Sequence, residues 1–543
     1  MAVSVNETEN KYEAAPDAVL PRFDSLPAVA EVRGPVEQRL VAEYYDTADL
    51  RLLASGITLR RRTGGSDSGW HLKLPAEPGS RTEIRLPAGR AGRKVPAELT
   101  DLVRARTRGA PLLPVASITT LRRVTTLVGS DGESLAEVAD DTVRAFRELE
   151  VADAGGAVSS AELASGALAS GALAANGAVA QAATPAPDQQ PAEWREIEVE
   201  LTGGNARLLG AADSLLLGSG LHRSLRSAKL ERVLGEEPRS AARPAKLTPA
   251  ASAGEVIGTY LRTQAEELKS VDPRVRRSEP DSVHQMRVAS RRLRSALRSF
   301  GAVVCRPETD HLAAELRWLS GVLGEARDAE VQAERLAEHV RETDVEVLIG
   351  PVQARIQAHA AKTTAATAKA VAAALKSERY YALLDELDRL IADLPAGPAA
   401  AEPARKALPA AVARSYRKTR RRMRTARHAA AGTPRETALH DARKAAKQAR
   451  YAAEAVAPVL GRDAARFASR MKKLQTVLGD HQDTVVGRQL ARRLGVAAQL
   501  AGEGAFTYGL FYGRDACAGE KLQAKAEKTW QQSSRRRYRH WLG

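Results

Sequence analysis

Polar and apolar residues alternate in short segments along the first half of the chain. In REIEVELTGG, three glutamates oppose Ile197, Val199 and Leu201, and in WHLKLP Leu72 lies opposite Lys73. The segments ITLRRR, SRTEIRLP and LAEVADD follow the same period of two. Because successive side chains of a strand point to opposite faces, these segments are predicted to form strands of an antiparallel sheet.

After residue 245 the pattern changes to the period of long α-helices rich in Ala, Leu and Arg. Two segments, VHQMRVASRRLRSALRSF and LHDARKAAKQARYAAE, each carry a histidine followed by basic residues at offsets of 3, 7 and 10. At 3.6 residues per turn, such positions fall within an arc of roughly 80°. These residues are His284, Arg287, Arg291 and Arg294 in the first segment and His440, Arg443, Lys447 and Arg450 in the second.

The two basic segments belong to an internal duplication. LRWLSGVLGEARDAEV in the first copy matches MKKLQTVLGDHQDTVV in the second, and equivalent residues lie 155 or 156 positions apart. The proline-rich segment 393–409 separates the copies, which are predicted to span 248–392 and 410–535. A third stripe with helical spacing precedes the second histidine and consists of Arg414, Arg417, Arg421, Arg424 and His428.

The charge of the chain divides at the same boundary. The 543 residues contain 82 Lys and Arg against 66 Asp and Glu, a formal charge of +16. Residues 1–240 carry a net charge of −5 and the remainder carries +21, which indicates domains with different partners. We therefore predict a strand-rich domain over 1–235 with a flexible Ala/Gly/Ser insertion at 152–192, a linker at 236–247, and a helical domain over 248–535.

The composition excludes several classes of protein. With only Cys305 and Cys517, neither a disulfide scaffold nor a multi-cysteine zinc site is possible. The N-terminal segment has no apolar signal sequence, and no run of about 20 strongly apolar residues is present. We therefore expect a cytoplasmic protein without a membrane partner, and the basic excess suggests that it binds a polyanion.

The charged strand faces suggest a binding site. For a single strand, a solvated sheet surface is the ordinary explanation. However, Glu196, Glu198 and Glu200 would repel one another on such a surface, and a divalent metal between them would remove the conflict. Arg and Lys side chains facing the same cavity could hold an anion with several oxygens. A closed barrel would bring these side chains together.

The segment ETENK at residues 7–11 resembles the ExExK signature of the CYTH domain, the triphosphate tunnel metalloenzymes. The resemblance continues through EYYDTADLRLLASGITLRRR, WHLKLP, RTEIRLP, EIEVEL and SLRSAKL. It implies an eight-stranded antiparallel tunnel that binds triphosphate with Mg²⁺ or Mn²⁺. The implied metal-binding residues are Glu7, Glu9, Glu137, Asp141, Glu196, Glu198 and Glu200, and the implied triphosphate-binding residues are Lys11, Arg60, Arg62, Lys73, Arg122 and Lys229.

Some of these assignments have alternatives. The strand register leaves open which member of two adjacent pairs faces the tunnel, Arg122 or Arg123 and Asp140 or Asp141. Arg81 and Arg85 either line the tunnel or lie solvated on its rim. His71 is interpreted as a wall or structural residue rather than a general base.

The helical half resembles the CHAD domain, an α-helical domain named for its conserved histidines. The resemblance implies a duplicated helical bundle that binds inorganic polyphosphate along a basic channel, through the eight residues of the two histidine-headed stripes. Arg417, Arg421 and Arg424 are added on helical spacing alone. The alternative for each stripe is a solvated helix face. Asp328 and Asp483, which match between the copies, are interpreted as helix-capping or orienting groups.

The expected protein is a multidomain α+β phosphohydrolase that acts on inorganic tripolyphosphate or a related triphosphate with Mg²⁺ or Mn²⁺. Its helical half would bind polyphosphate and could bring the protein to polyphosphate granules. One alternative keeps the tunnel for a nucleotide triphosphatase or adenylate cyclase. Another is a polyphosphate-binding protein without catalysis. A nucleic-acid partner is less favoured, and the basic tail SSRRRYRHWLG is interpreted as a frayed, solvated helix end.

Overall fold

The computed structural model describes residues 3–65, 67–76, 80–89, 92–148, 191–226, 228–234 and 247–542. The chain divides into two compact units, residues 1–243 and residues 244–543, and each is considered by itself. Residues 152–190 of the predicted insertion at 152–192 and residues 236–246 of the predicted linker at 236–247 lie outside the described residues. The last residue of the predicted insertion, Ala192, is the first residue of a strand.

The described residues of the first unit form eight long strands and three α-helices. The strands are β1 (Val3–Ala14), β2 (Glu31–Asp46), β3 (Thr58–Thr63), β4 (Gly69–Pro75), β5 (Ser80–Leu86), β6 (Leu113–Val128), β7 (Ser134–Arg147) and β8 (Ala192–Leu201). A two-residue strand, β9 (His222–Arg223), pairs with the end of β1. The helices are α1 (Ala97–Thr107), α2 (Ala206–Gly218) and α3 (Lys229–Val233).

The eight long strands close into an antiparallel barrel. Their order is β5-β4-β3-β2-β6-β7-β8-β1, and β1 also pairs with β5, which joins the ends of the sheet. This register places Glu7 opposite Arg81, and further along β1 it places Glu9 opposite Glu200 of β8. The predicted eight-stranded tunnel is therefore confirmed.

The apolar side of this barrel faces outward. Val199 of β8 packs with Leu208 and Leu216 of α2, and Leu72 of β4 packs with Leu99 of α1. The helices therefore cover the hydrophobic face that the alternating pattern creates, and the charged face of each strand is left to line the interior. An alternation that usually means a half-solvated sheet here produces a polar interior.

The second unit consists of long helices, as predicted. They are α4 (Ala253–Arg276), α5 (Ser282–Ser299), α6 (Arg306–Arg341), α7 (Val352–Leu375), α8 (Glu378–Ala392), α9 (Ala404–His428), α10 (Thr433–Leu460), α11 (Arg462–Leu500) and α12 (Phe506–Ser533). The first of them begins with a capping box, in which Oγ of Ser252 accepts from the Glu255 backbone N–H and the Glu255 carboxylate accepts from the Ser252 backbone N–H.

The internal duplication is visible in this order of helices. Helices α4 to α7 correspond to α9 to α12, and consecutive helices pack against one another within each copy. Helices α5 and α10, which carry the two histidine-headed stripes, also contact each other across the copies. This contact is what brings the two basic stripes to one place.

The C-terminal tail is packed, which corrects the interpretation of residues 533–543 as a frayed end. Short 3₁₀ turns at Arg536–Tyr538 and His540–Leu542 follow α12. The Trp541 ring lies edge-on to Phe467 with 6.0 Å between centroids, and Arg470 donates to the Tyr538 hydroxyl at 2.6 Å. Burial of the aromatic rings outweighs the hydration of the neighbouring arginines.

Candidate functional sites

The pairing of β6 with β7 decides which of two adjacent residues faces the barrel interior. Arg122 donates to Asp141 at 2.6 and 2.8 Å, inside the barrel. On the outer face, Arg123 lies 3.3 Å from Glu37, and Asp140 accepts from Arg195 at 2.8 Å. The interior positions are therefore Arg122 and Asp141, and their neighbours form ion pairs on the outside.

One wall of the interior is a cluster of carboxylates around a lysine. Oxygens of Asp141, Glu196 and Glu198 lie within 4.8 Å of one another, and all three residues are buried. The Lys229 ammonium lies 2.9 Å from Asp141, 2.5 Å from Glu196 and 2.9 Å from Glu198. Lys11 also contacts Glu198 and lies 3.2 Å from Glu9.

The carboxylate cluster suits a hard divalent cation. Its donors are all carboxylate oxygens, which are the ligands that Mg²⁺ and Mn²⁺ prefer. The Lys229 ammonium at its centre shows that the three side chains already converge on a positive charge. The residues therefore fit a metal site, and the identity of the ion is left open by these donors.

The neighbouring cations keep Glu198 and Asp141 ionised. Burial by itself would raise the pKa of Glu198, but Lys11 and Lys229 reverse the effect and hold the pKa well below its usual value. The same competition lowers the pKa of Asp141, through Lys229 and Arg122. The pKa of Lys229 is correspondingly raised, since the carboxylates outweigh its burial. Asp141, Glu198 and Lys229 are thus charged throughout the neutral pH range.

The opposite wall is basic. Arg60 of β3 donates to the Tyr44 hydroxyl at 3.2 Å, and Arg62 contacts Asp67. Burial and the positive charges of Arg60 and Arg122 lower the pKa of Arg62 to about 9. Several cations held this close together favour an anion between them.

Glu83 of β5 is a site residue that the sequence analysis did not assign. Its side chain is 1% exposed and lies 3.0 Å from Nδ1 of His71, 3.8 Å from the Lys73 ammonium and 3.9 Å from Arg60. It also contacts Arg85. Glu83 therefore holds several cations of the basic wall in place. The period of two in SRTEIRLP put Glu83 on the charged face and could have identified it.

Both walls line one cavity of about 290 Å³, which we call the tunnel cavity. Most of the predicted residues line it, namely Glu9, Lys11, Arg60, Arg62, Lys73, Arg122, Glu137, Glu198, Glu200 and Lys229. Arg81 and Arg85 line it as well, which resolves their two alternatives. Asp141 and Glu196 contact Lys229, which lines the cavity. The side chain of Glu7 lies outside the described part of the chain.

In the helical unit, α5 and α10 bring the two basic stripes together. A cavity of about 340 Å³, the helical cavity, is lined by residues of both stripes and of α9, including Arg291, Arg294, Arg298, Lys418, Arg422 and Lys447. Arg291 donates to the Tyr451 hydroxyl at 2.9 Å. An adjoining cavity of about 380 Å³ is lined by His284, Arg291 and Arg450, among others.

The positive charges in and next to the helical cavity repel one another. Burial, followed by the positive charges of Arg291, Arg443 and Arg287, lowers the pKa of Lys447 to about 6. Burial and nearby cations also lower the pKa of His284 and of His440. Because a bound polyanion would relieve this repulsion, the geometry favours an anionic ligand.

The third stripe does not face this cavity. Arg417, Arg421 and Arg424 are exposed and are absent from the described lining residues, whereas Lys418 and Arg422 of the same helix line the cavity. The sequence did not identify Lys418 and Arg422, because they form a second basic stripe on α9 and helical spacing does not show which stripe faces the cavity. The buried positions of α9, such as Tyr416, distinguish the two stripes only once packing is known.

Both units belong to families that comparison identifies. A CYTH domain matches residues 7–160 and a CHAD domain matches residues 259–492. The chain therefore belongs to the CYTH and CHAD domain families and joins the two domains in one protein. CYTH domains are metal-dependent triphosphate tunnel enzymes, and CHAD domains are associated with polyphosphate.

Over nearly its full length, the chain is similar to an uncharacterized protein found in two strains of Mycobacterium tuberculosis. It is 36% identical over 528 residues, which cover 96% of this chain and 95% of that protein. Among solved structures, PptA from Streptomyces chartreusis has a TM-score of 0.44 and 20% identity, covering 52% of this chain and 100% of its own. The CHAD domain from the plant Ricinus communis has a TM-score of 0.42 and 26% identity, covering 54% and 95%.

The sequences of the α-helices in the described residues are interrupted by charged residues. None of them combines the length and the apolar character that crossing a bilayer requires.

Proposed function

We propose that the tunnel hydrolyses inorganic tripolyphosphate, or another compact triphosphate, with Mg²⁺ or Mn²⁺. The observation that carries the proposal is the tunnel cavity itself, in which a carboxylate wall faces a basic wall. Phosphoanhydride cleavage needs charge neutralisation on the phosphate oxygens and a positioned water. A closed, polar cavity that offers cations on one side and carboxylates on the other supports this chemistry.

The basic wall would hold the substrate. Arg60, Arg62 and Lys73 present fixed positive charge to phosphate oxygens, and Glu83 limits how far these cations can move. Binding of the triphosphate would compensate the cation–cation repulsion that lowers the pKa of Arg62. The positions of these groups are set before the substrate enters, which favours electrostatic stabilisation of the charge that develops in the reaction.

The carboxylate wall would hold the metal. Glu9, Asp141, Glu196 and Glu198 are the described groups best placed to do so, together with Glu7 on the same strand as Glu9. A divalent cation held there would neutralise phosphate oxygens and promote attack by water. Lys229, which now occupies the centre of the cluster, would then be available for the phosphate chain.

We further propose that the helical cavity binds inorganic polyphosphate. The bound polyphosphate would supply the tunnel with substrate, or would localise the protein, for example at polyphosphate granules. The proposal is supported by the buried cations of α5, α9 and α10, whose mutual repulsion a polyanion would relieve. Exposed residues of the third stripe, Arg417, Arg421 and Arg424, could extend the bound chain along the surface of α9.

The test is phosphate release by the purified full chain with tripolyphosphate, long-chain polyphosphate and ATP, each with Mg²⁺, Mn²⁺ or a chelator. We expect metal-dependent release from tripolyphosphate. The combined change Glu7→Ala and Glu9→Ala should lower the rate by about 10²-fold or more, as for loss of a fixed charge-stabilising group. An unchanged rate in this variant would refute the site assignment.

Neighbouring residues provide a matched pair of variants. Asp141→Asn alters the interior cluster, whereas Asp140→Asn alters only the outer ion pair with Arg195. Only the first should abolish activity. Cyclic AMP formed from ATP would instead indicate a cyclase, and polyphosphate binding without any turnover would indicate a binding protein.

A further inference from the structure

Two glycines occupy equivalent positions inside the long helices of the two CHAD copies. Gly324 lies in α6 and Gly479 lies in α11, 155 positions later. Both are buried. Glycine is among the poorest helix formers, so its presence in a helix interior calls for a local cause.

In both copies the space of the missing side chain is filled by an arginine. A Cβ atom on Gly324 would lie 3.3 Å from Nη2, 3.4 Å from Nε and 3.5 Å from Cζ of Arg287. A Cβ atom on Gly479 would lie 3.4 Å from Nη2 and 3.5 Å from Nε of Arg443. Each guanidinium group therefore lies with its face close to the helix backbone, where an alanine methyl group would press on it.

These arginines have donors that nothing in the described structure satisfies. The Nε atoms of Arg287 and Arg443 are buried without a hydrogen-bond partner, and so are the Nδ1 atoms of His284 and His440, three residues earlier in each stripe. Arg287 donates from Nη1 to Asp328 at 3.3 Å. A buried donor without a partner is unfavourable, so a ligand that accepts from the two Nε–H groups would remove this cost.

Asp328 helps to fix the position of one guanidinium group. It lies in the interior of α6, one turn after Gly324, so it orients Arg287 and does not cap a helix. Its counterpart Asp483 also lies in a helix interior, in α11. The glycine on one side and the carboxylate on the other limit where the guanidinium of Arg287 can lie.

We propose that Gly324 and Gly479 are positioning residues that set two equivalent phosphate contacts, one in each copy. Without a side chain, each glycine lets the guanidinium group of Arg287 or Arg443 lie against the helix, and the Nε–H that is left without a partner would donate to a phosphate oxygen. The ligand is a chain of phosphate groups long enough to reach both contacts. This inference rests on the proposed binding of polyphosphate by the helical unit.

The experiment measures binding of fluorescently labelled, medium-chain polyphosphate to full-length variants at fixed ionic strength. Gly324→Ala and Gly479→Ala should each weaken binding roughly threefold to tenfold, equivalent to one hydrogen bond, and the double variant should lose about the product of the two factors. Thermal midpoints should stay within about 2 °C of the unsubstituted protein, or rise, because alanine is the better helix former.

The controls separate positioning from general effects of the substitution. Gly321, one turn before Gly324, and Gly509 in α12 have no atom within 4 Å of a Cβ, so Gly321→Ala and Gly509→Ala should leave binding unchanged. In an Arg287→Ala background, Gly324→Ala should have no further effect, because the group on which it acts is gone.

Each outcome decides the inference. Unchanged affinity in both glycine variants, or an equal loss of affinity in the Arg287→Ala background, overturns the positioning role while leaving polyphosphate binding intact. Failure of the unsubstituted protein to bind polyphosphate overturns both this inference and the proposed function of the helical unit.

Discussion

Replacing Lys229 by methionine tests the electrostatic balance of the tunnel most directly. The ammonium lies 2.5–2.9 Å from three buried carboxylates, and methionine keeps the length of the side chain but removes the charge. Lys11 and Arg122 would still contact Glu198. The cluster nevertheless loses the one described cation that contacts all three carboxylates.

The magnitude follows from the cost of removing one partner from a buried ion pair, about 3–5 kcal/mol. For a domain of this size, 1 kcal/mol changes the midpoint by about 2–4 °C. We therefore expect Lys229→Met to lower the midpoint of the CYTH unit by roughly 6–20 °C. Arg123→Met, which removes an exposed pair with Glu37, should cost less than about 1 kcal/mol.

The assay is calorimetry of the full chain with and without Mg²⁺ or Mn²⁺, and amide exchange in β7 and β8 identifies the transition. Because a divalent cation can replace the missing ammonium, it should stabilise Lys229→Met more than the unsubstituted protein. A midpoint equal to that of the unsubstituted protein would refute the electrostatic reasoning. If Lys229→Met lowers the midpoint and divalent cations do not restore it, the idea that the metal binds where the Lys229 ammonium lies would be refuted.

Four further predictions concern the two units. Arg122→Ala should lower triphosphate hydrolysis by about 10²-fold in a phosphate-release assay, while the adjacent outward Arg123→Ala should not. Glu83→Gln should raise KM for the triphosphate, since it loosens the cations of the basic wall, without loss of the fold by circular dichroism. Because the lowered pKa values of Asp141 and other tunnel carboxyls stabilise the folded state above pH 4, that stability should be lost as the pH falls below about 4 in acid titrations. The pKa of Lys447 near 6 predicts proton uptake on polyphosphate binding, and affinity that rises from pH 8 to pH 6. Calorimetric titration in buffers of different ionisation enthalpy would measure this uptake, and an unchanged dependence in Lys447→Met would contradict it.

Strand alternation predicted the antiparallel strands, and the resemblance to the CYTH domain implied the eight-stranded barrel, but neither could choose between adjacent charged residues. In LRRV and VADD both members of each pair are polar, so a shift of one position gives an equally good pattern. The contacts across strands identify the interior residues, because Arg122 donates to Asp141 inside the barrel while Arg123 pairs with Glu37 and Asp140 with Arg195 outside it. The side of a strand is decided by its neighbours, and those contacts are long-range.

In the helical half, too, the sequence pattern does not show which of two neighbouring basic stripes faces the cavity. Repetition at 155 or 156 residues identified the duplication and the two stripes that meet across α5 and α10. On α9, however, the stripe of Arg417 and the stripe of Lys418 are both basic, and packing places Lys418 at the cavity. Gly324 and Gly479 lie inside the repeated segments, yet their role depends on arginines from another helix.

Closure of the barrel has a practical consequence for handling the protein. Each long strand of the described barrel pairs with two other strands, so little of the sheet is left to recruit a strand from another chain. An exception is the first part of β2, where residues 36–40 pair with β6 but not with β3. Ala145 of β7 already pairs with Ala192 of β8, and a short hairpin turn could therefore replace residues 148–191 without changing the register. That connection offers a point at which a reporter protein could be inserted, or new chain ends created, while the ring of strands stays intact.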